Sequence, residues 1–332
     1  MSQTAETTAT VETAPLRTLP SQWGAAWTRF WFTPSDAIVL SLLRILIGVV
    51  ALWWYLSLIP DLQRWFGPSG IFPLAIARDI RNSSDGFAIS PLDLIDSAAQ
   101  LWLAYGIGLA AIVLMIVGLF SRVTTILSLL FVLSFIHRAP MLSRPVDNIL
   151  ALAMFYLCLG PTGANFSIDS LLRKRRMLNR PSADPAQFSA IQYSSAATVA
   201  MRLMQVHLSL VYLAMAIAQL QWPIWWQGTA VWWMMARPES RLVDLTGLSG
   251  LGEKPFDYLV NFLTHAIVVY ELCFAVFIWR PLVRPLLLVA GVFVWLGLAL
   301  IGGSPIFAVL MLFATLAFLS PQRLRGWCFA GQ

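Results

Sequence analysis

Residues 36–59 read DAIVLSLLRILIGVVALWWYLSLI, and this stretch decides the fold. Its only charged residues are Asp36 at the start and Arg44 in the middle, in a run that is otherwise almost entirely apolar. A helix needs about 20 such residues to cross a bilayer, and lipid tolerates only structures that satisfy their own backbone. With Ser35 as an N-cap and Pro60 as a stop, the stretch predicts a membrane-spanning helix.

The composition of the whole chain agrees with this interpretation. Of its 332 residues, 58% are hydrophobic and 11% are charged, whereas a soluble domain has about 25% charged residues. A soluble core of this size cannot bury so much apolar surface, which excludes a cytosolic enzyme, a disordered protein and a secreted disulfide scaffold. The basic residues are scattered, so the net charge of +6 does not indicate nucleic-acid binding.

Seven further apolar stretches predict, with the first, an all-α bundle of about eight transmembrane helices. The seven cover residues 98–120, 123–136, 148–159, 196–220, 258–279, 282–301 and 306–319. Residues 222–236 hold five Trp but are too short to cross, which indicates an interfacial or re-entrant element. The chain thus divides into a flexible N-terminal tail (1–30), a transmembrane domain (31–320) and a C-terminal tail (321–332).

Basic residues divide unevenly between alternate loops. One set of loops and tails holds twelve Lys and Arg against five acidic residues, and the other set holds eight against ten. Because loops rich in Lys and Arg stay in the cytoplasm, we predict an inner-membrane protein with both termini in the cytoplasm. The basic run 173–176 allows two interpretations: it retains its loop in the cytoplasm, or it binds anionic lipid headgroups.

Three charged residues fall inside the predicted spans: Arg44, Arg202 and Glu271. An ionisable group costs a few kcal/mol in lipid, so each is expected to face the bundle interior. One expectation is a structural ion pair between Arg44 and Glu271. The other is a functional role, in which Glu271 is the candidate catalytic proton acceptor.

The fifth span carries a polar stripe. Its polar residues fall on one face of a helix with 3.6 residues per turn; they are Arg202, Gln205, Ser209, Tyr212 and Gln219. Interhelical hydrogen bonds would explain some of them, but five favour the wall of a cavity that binds a quinone or a lipid. The histidines and cysteines are too far apart in sequence to indicate a metal site.

Four short motifs resemble the HTTM (horizontally transferred transmembrane) domain family, whose members include the vitamin K-dependent gamma-glutamyl carboxylases. The resemblance covers residues 32–320. In chain order the motifs are Arg44 with Gly48, the segment from Asn165 to Asp169, Gln205 with Tyr212, and Trp225 with Gly228 and Ala230. The resemblance implies the transmembrane scaffold of that family.

The resemblance does not extend to carboxylase chemistry. In the carboxylases a fifth-helix lysine deprotonates vitamin K hydroquinone, and Ala218 and Gln219 stand at the corresponding positions here. Neither side chain can act as a base near neutral pH. Family members also tend to carry a His in the seventh span, near Trp295 here, and residues 282–301 contain none.

The leading hypothesis is therefore a membrane protein that binds a lipophilic small molecule, with membrane lipids as its partners. Three alternatives stay open: a membrane enzyme with divergent redox or lyase chemistry, a transporter, and a maturation or immunity factor for a secreted peptide. The chain shows no internal repeat, although transporters usually have one.

Overall fold

A computed structural model describes residues 19–72, 74–83, 90–179, 191–238 and 242–329. The fifteen α-helices of these residues are, in chain order, α1 (Leu19–Phe32), α2 (Ile38–Leu56), α3 (Leu62–Phe66), α4 (Leu74–Ser83), α5 (Ala98–Val117), α6 (Ser121–Arg138), α7 (Pro145–Leu159), α8 (Ile168–Leu178), α9 (Ser195–Leu220), α10 (Pro223–Trp226), α11 (Ala230–Met235), α12 (Glu253–Phe277), α13 (Arg284–Ile301), α14 (Pro305–Thr315) and α15 (Pro321–Phe329). Two antiparallel strands of two residues each, β1 (Ser35–Asp36) and β2 (Tyr193–Ser194), complete the regular structure.

The predicted all-α fold is confirmed. All eight apolar stretches are helical, as α2, α5, α6, α7, α9, α12, α13 and α14. Among the described residues, six helices are long and apolar enough to cross a bilayer, or seven if α14 and α15, bent by 103°, form one broken span. These spans indicate a membrane helical bundle.

Helix α7, like the 11-residue α14, is short for a membrane span. It has 15 residues, or about 22 Å at 1.5 Å per residue, against a hydrocarbon core of about 30 Å. It packs between α2, α6 and α9, so neighbouring helices cover much of its surface.

Helix α2 lies in the centre of the bundle, where α5, α7 and α14 pack against it. Its fully buried residues recur every three or four positions, as in Leu40, Leu43 and Ile47. A second group forms around α9 and α12, which pack against each other, while α13 packs against α12 and α14. The described residues therefore form three apolar clusters: one around α2, one around α9, α12 and α13, and one around α11 and the first half of α12. Helix α14 contributes to the first two.

One end of the bundle, called here the Asp36 end, holds β1, β2 and α15. Arg325 of α15 forms a salt bridge with Asp36 at an Nη2–Oδ2 distance of 2.8 Å. The Thr198 hydroxyl near the start of α9 donates to the carbonyl oxygen of Thr33 at 2.6 Å. The starts of α2 and α9 and the last helix therefore meet at this end.

Other connections reach the same end. The backbone N–H of Asn165, just after α7, donates to Ser41 Oγ near the start of α2. The ring of Trp279, just after α12, packs against Phe30 of α1 and against Phe318, just after α14. The eight main helices therefore alternate in direction, leaving and returning to the Asp36 end.

Both predicted tails, residues 1–30 and 321–332, are partly helical in their described residues. Helix α1 begins at Leu19 and packs against α9, whereas residues 1–18 lie outside the described residues. Helix α15 occupies most of the predicted C-terminal tail, 321–332. The Trp-rich segment 222–236 forms the short helices α10 and α11, which are too short to cross a bilayer.

Candidate functional site

The expected ion pair between Arg44 and Glu271 is wrong. The Arg44 guanidinium is fully buried near the Asp36 end, where it bonds to loop and helix-end oxygens. Glu271 of α12 accepts a hydrogen bond from the Gln219 amide of α9 at 3.1 Å. Each buried charge therefore has its own polar surroundings, in a different part of the bundle.

The Arg44 side chain joins several turns that meet at the Asp36 end. Its Nη2 donates to the carbonyl oxygen of Phe166 at 2.6 Å and to that of Ile116 at 3.4 Å. Its Nη1 donates to the carbonyl oxygen of Thr162 at 3.2 Å and to Ser121 Oγ at 3.4 Å. A planar guanidinium suits such a divided set of acceptors, so Arg44 fixes the α5–α6 turn and the α7–α8 connection to α2.

Asp169 completes this group from the α7–α8 side. Its carboxylate accepts from the backbone N–H groups of Phe120 and Ser121 and from the Ser121 hydroxyl, at 2.6–2.9 Å. Burial raises the pKa of the Asp169 carboxyl, but these hydrogen bonds and the charge of Arg44 outweigh burial, so the pKa lies below its ordinary value. The ionised carboxylate therefore caps the start of α6.

The first part of the predicted polar stripe is occupied by local hydrogen bonds. Arg202 Nη1 donates to Gln205 Oε1 at 3.0 Å, and Arg202 also lies over the ring of Phe30 at 4.4 Å. Gln205 Nε2 donates to the carbonyl oxygen of Ala317, and Ser209 Oγ donates to the Gln205 carbonyl. These three stripe residues act in helix packing, contrary to the expectation that they line the cavity.

Tyr212 lies deeper, in a fully buried aromatic cluster. Its hydroxyl accepts a hydrogen bond from Trp295 Nε1 at 2.6 Å and lies 3.5 Å from the hydroxyl of Tyr270. Its ring stacks on Phe274 with centroids 3.9 Å apart. The aromatic contacts hold α9, α12 and α13 together, and Trp295 passes from this cluster to the wall of a cavity.

That cavity, called here the Glu271 cavity, has a volume of about 310 Å³ and lies away from the Asp36 end. It is bounded by α9, α11, α12, α13 and α14. Its walls are mainly apolar. Its polar lining residues are Gln219, Arg237, Glu271 and Ser304. The last member of the stripe, Gln219, is therefore the one that lines this cavity.

Two buried acceptor atoms of this polar pair have no partner. Glu271 Oε2 and Gln219 Oε1 are both buried and lack a hydrogen bond, while the opposite atoms of the two groups bond to each other. Buried polar atoms are nearly always paired, and an unpaired one costs about 1–3 kcal/mol. Two free atoms beside a partly open cavity therefore point to a ligand or to water that would bond there.

Helical periodicity explains why Glu271 faces inward. On α12 the residues Thr264, Ile267, Val268 and Phe274 are buried at three- and four-residue spacing, and Glu271 continues this face. Its side chain is 1% exposed, and no described cation forms a salt bridge with it. The charge in this apolar face is thus compensated by an amide alone.

Two of the four motifs singled out in the sequence contain glycines that pack closely against another helix. Gly48 of α2 packs closely against Ile116 of α5, in the region of Arg44. Trp225 lines the Glu271 cavity, and Gly228 follows it with a φ of +71° in the left-handed region. A side chain at Gly228 would also meet Asn261, so glycine permits both this turn between α10 and α11 and its close packing against α12.

Sequence reasoning missed several residues of the site. Arg237 and Ser304 line the Glu271 cavity from connecting segments, where a polar residue carries no distinguishing signal. Trp295 looked like an ordinary residue of an apolar span. Ser121, the hydroxyl that accepts from Arg44 and donates to Asp169, lies at a helix start where serine is common.

No known protein family, curated protein or solved structure matches this chain. Within the described ranges, no group of three or more His, Cys, Asp or Glu side chains is placed to hold a metal ion. The geometry of the chain itself therefore carries the functional argument.

Proposed function

We propose that the protein binds a lipophilic small molecule with a polar head, a quinone or a lipid, in the Glu271 cavity. The observation that carries this proposal is the pair of unsatisfied buried oxygens, Glu271 Oε2 and Gln219 Oε1, beside a partly open, mainly apolar cavity. A carboxylate oxygen accepts a hydrogen bond from a ligand hydroxyl, and a protonated carboxyl donates one to a ligand carbonyl.

The size and lining of the cavity set the ligand class. About 310 Å³ is at the lower end for ligand pockets, which suits a single ring or a small head group. The apolar wall includes Met215, Leu298 and Phe307. A long isoprenoid or acyl tail would have to lie outside the cavity, among helices whose outer faces carry many exposed apolar side chains.

Removal of the carboxyl group is the direct test. Glu271→Leu should reduce about tenfold the quinone or lipid that stays bound through purification, because a hydrogen bond to a charged group is lost. Mass spectrometry of organic extracts from the purified full chain measures this amount, normalised to protein. Asp257→Leu is the matched control, since Asp257 lies exposed on the same helix.

A second variant separates binding from misfolding. Ala308 lines the cavity from α14, and Ala308→Leu should fill part of the space and displace the same ligand without touching a polar group. Circular dichroism shows whether both variants keep the helical content of the wild type. If they do, and if the amount of bound quinone or lipid per protein is the same in wild type, Glu271→Leu and Ala308→Leu, the proposal is contradicted.

A second candidate function is an enzyme with divergent redox or lyase chemistry in the same cavity. The free oxygen of Glu271 favours it, because a general base needs an atom within reach of its substrate. Carboxylase chemistry is not part of this candidate, since Ala218 and Gln219 offer no base. Full turnover by Glu271→Gln would remove Glu271 from any catalytic role.

We also propose that the chain belongs to the HTTM family and crosses the inner membrane eight times. Two of the family motifs meet in space, since Arg44 bonds to the carbonyl of Phe166 within the 165–169 segment. The alternation of the eight main helices supports an even count. Helix α7 is short, but neighbouring helices surround it, which supports counting it as one of the eight membrane crossings.

The same alternation supports an orientation with both termini in the cytoplasm. The Asp36 end gathers basic connections, among them Arg122, Arg280, Arg284 and Arg325 and the run 173–176, as the positive-inside rule requires of a cytoplasmic face. Green fluorescent protein fused after Gln332 should fluoresce, because it folds in the cytoplasm. Alkaline phosphatase at the same place should be inactive, and the reverse pattern would overturn the orientation.

A further inference from the structure

A second cavity lies at the Asp36 end, and the proposed function makes no use of it. This cavity, called here the arginine cavity, has a volume of about 700 Å³ and lies between the α5–α6 turn, the α7–α8 connection and helix α8. Its polar lining residues are Ser121, Arg122, Asp169, Arg173, Arg176 and Gln192. The remainder of its wall is largely apolar.

Three arginines share this wall with a single carboxylate, that of Asp169. Arg122 comes from α6, and Arg173 and Arg176 come from α8, three residues apart on neighbouring positions of one face. In the described part of the chain no salt bridge or hydrogen bond involves any of the three guanidinium groups. Like charges around one space repel, so the wall favours an anion between them.

The nearest acidic group does not neutralise them. The Asp169 carboxylate already accepts three hydrogen bonds from Phe120 and Ser121, and it lies between the arginine cavity and the buried Arg44. Because the backbone N–H groups of Phe120 and Ser121 at the start of α6 donate to Asp169, neither is free to bind an anion. The positive potential of the cavity therefore comes from the arginine side chains themselves.

Apolar surface lies directly beside these charges. Leu172 of α8 lines the cavity, is 41% exposed and lies beside Arg176, about 40° around the helix. Leu171 and Leu178, both 65% exposed, lie farther from the cavity arginines, and Arg175 separates them from Leu172. Phe120 and Val123, which also line the cavity, are 70% and 57% exposed. A basic face next to an apolar face is typical of a helix that lies in the membrane interface.

We propose that the arginine cavity binds the phosphate group of an anionic phospholipid, whose acyl chains lie against Phe120, Val123 and Leu172. Arginine recognises phosphate oxygens through paired N–H donors, and basic pockets between transmembrane helices suit anionic head groups. A free phosphate ion offers the same kind of oxygen atoms but makes no use of the adjoining apolar surface. This site is independent of the Glu271 cavity.

The test compares two double variants that remove the same charge from the same helix. R173Q/R176Q changes two residues of the cavity wall, whereas K174Q/R175Q changes their neighbours, which do not line it. The probe is dihexanoyl phosphatidylglycerol, titrated calorimetrically into the purified full chain in an uncharged detergent. R173Q/R176Q should weaken its binding about tenfold or more, and K174Q/R175Q should leave it nearly unchanged. Arg122→Gln, on another helix, should also weaken binding.

Two further titrations identify the source of the phosphate. Dihexanoyl phosphatidylcholine has the same phosphate and acyl chains, but its choline group compensates the negative charge, so it should bind more weakly than phosphatidylglycerol. Inorganic phosphate lacks the acyl chains and should bind more weakly still. An equal loss in both double variants would overturn the site, because the effect would then follow net charge alone. Inorganic phosphate that binds as tightly as phosphatidylglycerol would overturn the lipid as its ligand.

Discussion

Arg44→Met is expected to lower the free energy of unfolding by about 3–5 kcal/mol. The variant removes the guanidinium that donates to several buried oxygen atoms and leaves those acceptors without a donor. The side chain of Arg44 is 0% exposed and donates to three backbone carbonyls and one hydroxyl. Methionine fills a similar volume but donates nothing, so the acceptors from Ile116, Thr162 and Phe166 lose these hydrogen bonds in a place that water reaches poorly.

The measurement is unfolding of the purified chain in a mild detergent, followed by far-UV circular dichroism. Arg44→Lys should recover only part of the loss, since one ammonium group cannot reach acceptors on both sides of a guanidinium. Arg64→Ala is the control, because Arg64 forms an exposed pair with Asp61 that contributes about 0–1 kcal/mol. A loss for Arg44→Met no larger than for Arg64→Ala would show that these hydrogen bonds do not hold the turns together.

Gly118→Ala is expected to destabilise the protein by about 2–4 kcal/mol, through backbone strain and overpacking together. Gly118 ends α5 with a φ of +74°, in the left-handed region, which an L side chain adopts at a cost of about 1–2 kcal/mol. A Cβ atom there would also collide with the Arg44 guanidinium and with the Cβ of Ser167.

Two comparisons make the Gly118 prediction specific. Gly106→Ala lies on the same helix with open space around it and should be neutral or stabilising by up to about 1 kcal/mol, since alanine favours the helix. In the double variant with Arg44→Met, a flexible side chain without fixed hydrogen bonds replaces the guanidinium and can yield to the new Cβ, whereas the contact with Ser167 remains. The loss in the double variant should therefore be smaller than the sum of the losses in the two single variants. Fully additive losses would mean that Gly118 and Arg44 do not share one packed site.

The helices of this chain could be predicted because their signal is local. Continuous apolar runs flanked by caps and prolines gave all eight main helices, and the short length of α7 was already visible in the sequence at 148–159. The helical parts of the predicted tails were missed. Helix α1 packs on α9, and a helix of 14 residues depends on such tertiary packing, which its own sequence does not reveal.

The site was predicted less completely, for a physical reason. Periodicity indicated which face of α9 would be polar and that Glu271 would face inward, but not which partner each group would meet. Arg202, Gln205 and Ser209 bond to one another and to a carbonyl at Ala317, over a hundred residues away in sequence. Only Gln219 contacts Glu271. Helices α9 and α12 run antiparallel, so the end of α9 lies beside the part of α12 that carries Glu271.

The sequence by itself determined that this chain is an all-α membrane bundle, and that three charges, Arg44, Arg202 and Glu271, lie within its spans. That information is local, because lipid imposes apolar composition and helical hydrogen bonding on each span separately. The tertiary structure alone decided that Arg44 and Glu271 belong to separate sites, with carbonyl and amide partners rather than each other. The hydrogen-bond partners of a buried polar side chain depend on how helices from distant parts of the sequence pack together. The composition of a single span does not determine that packing.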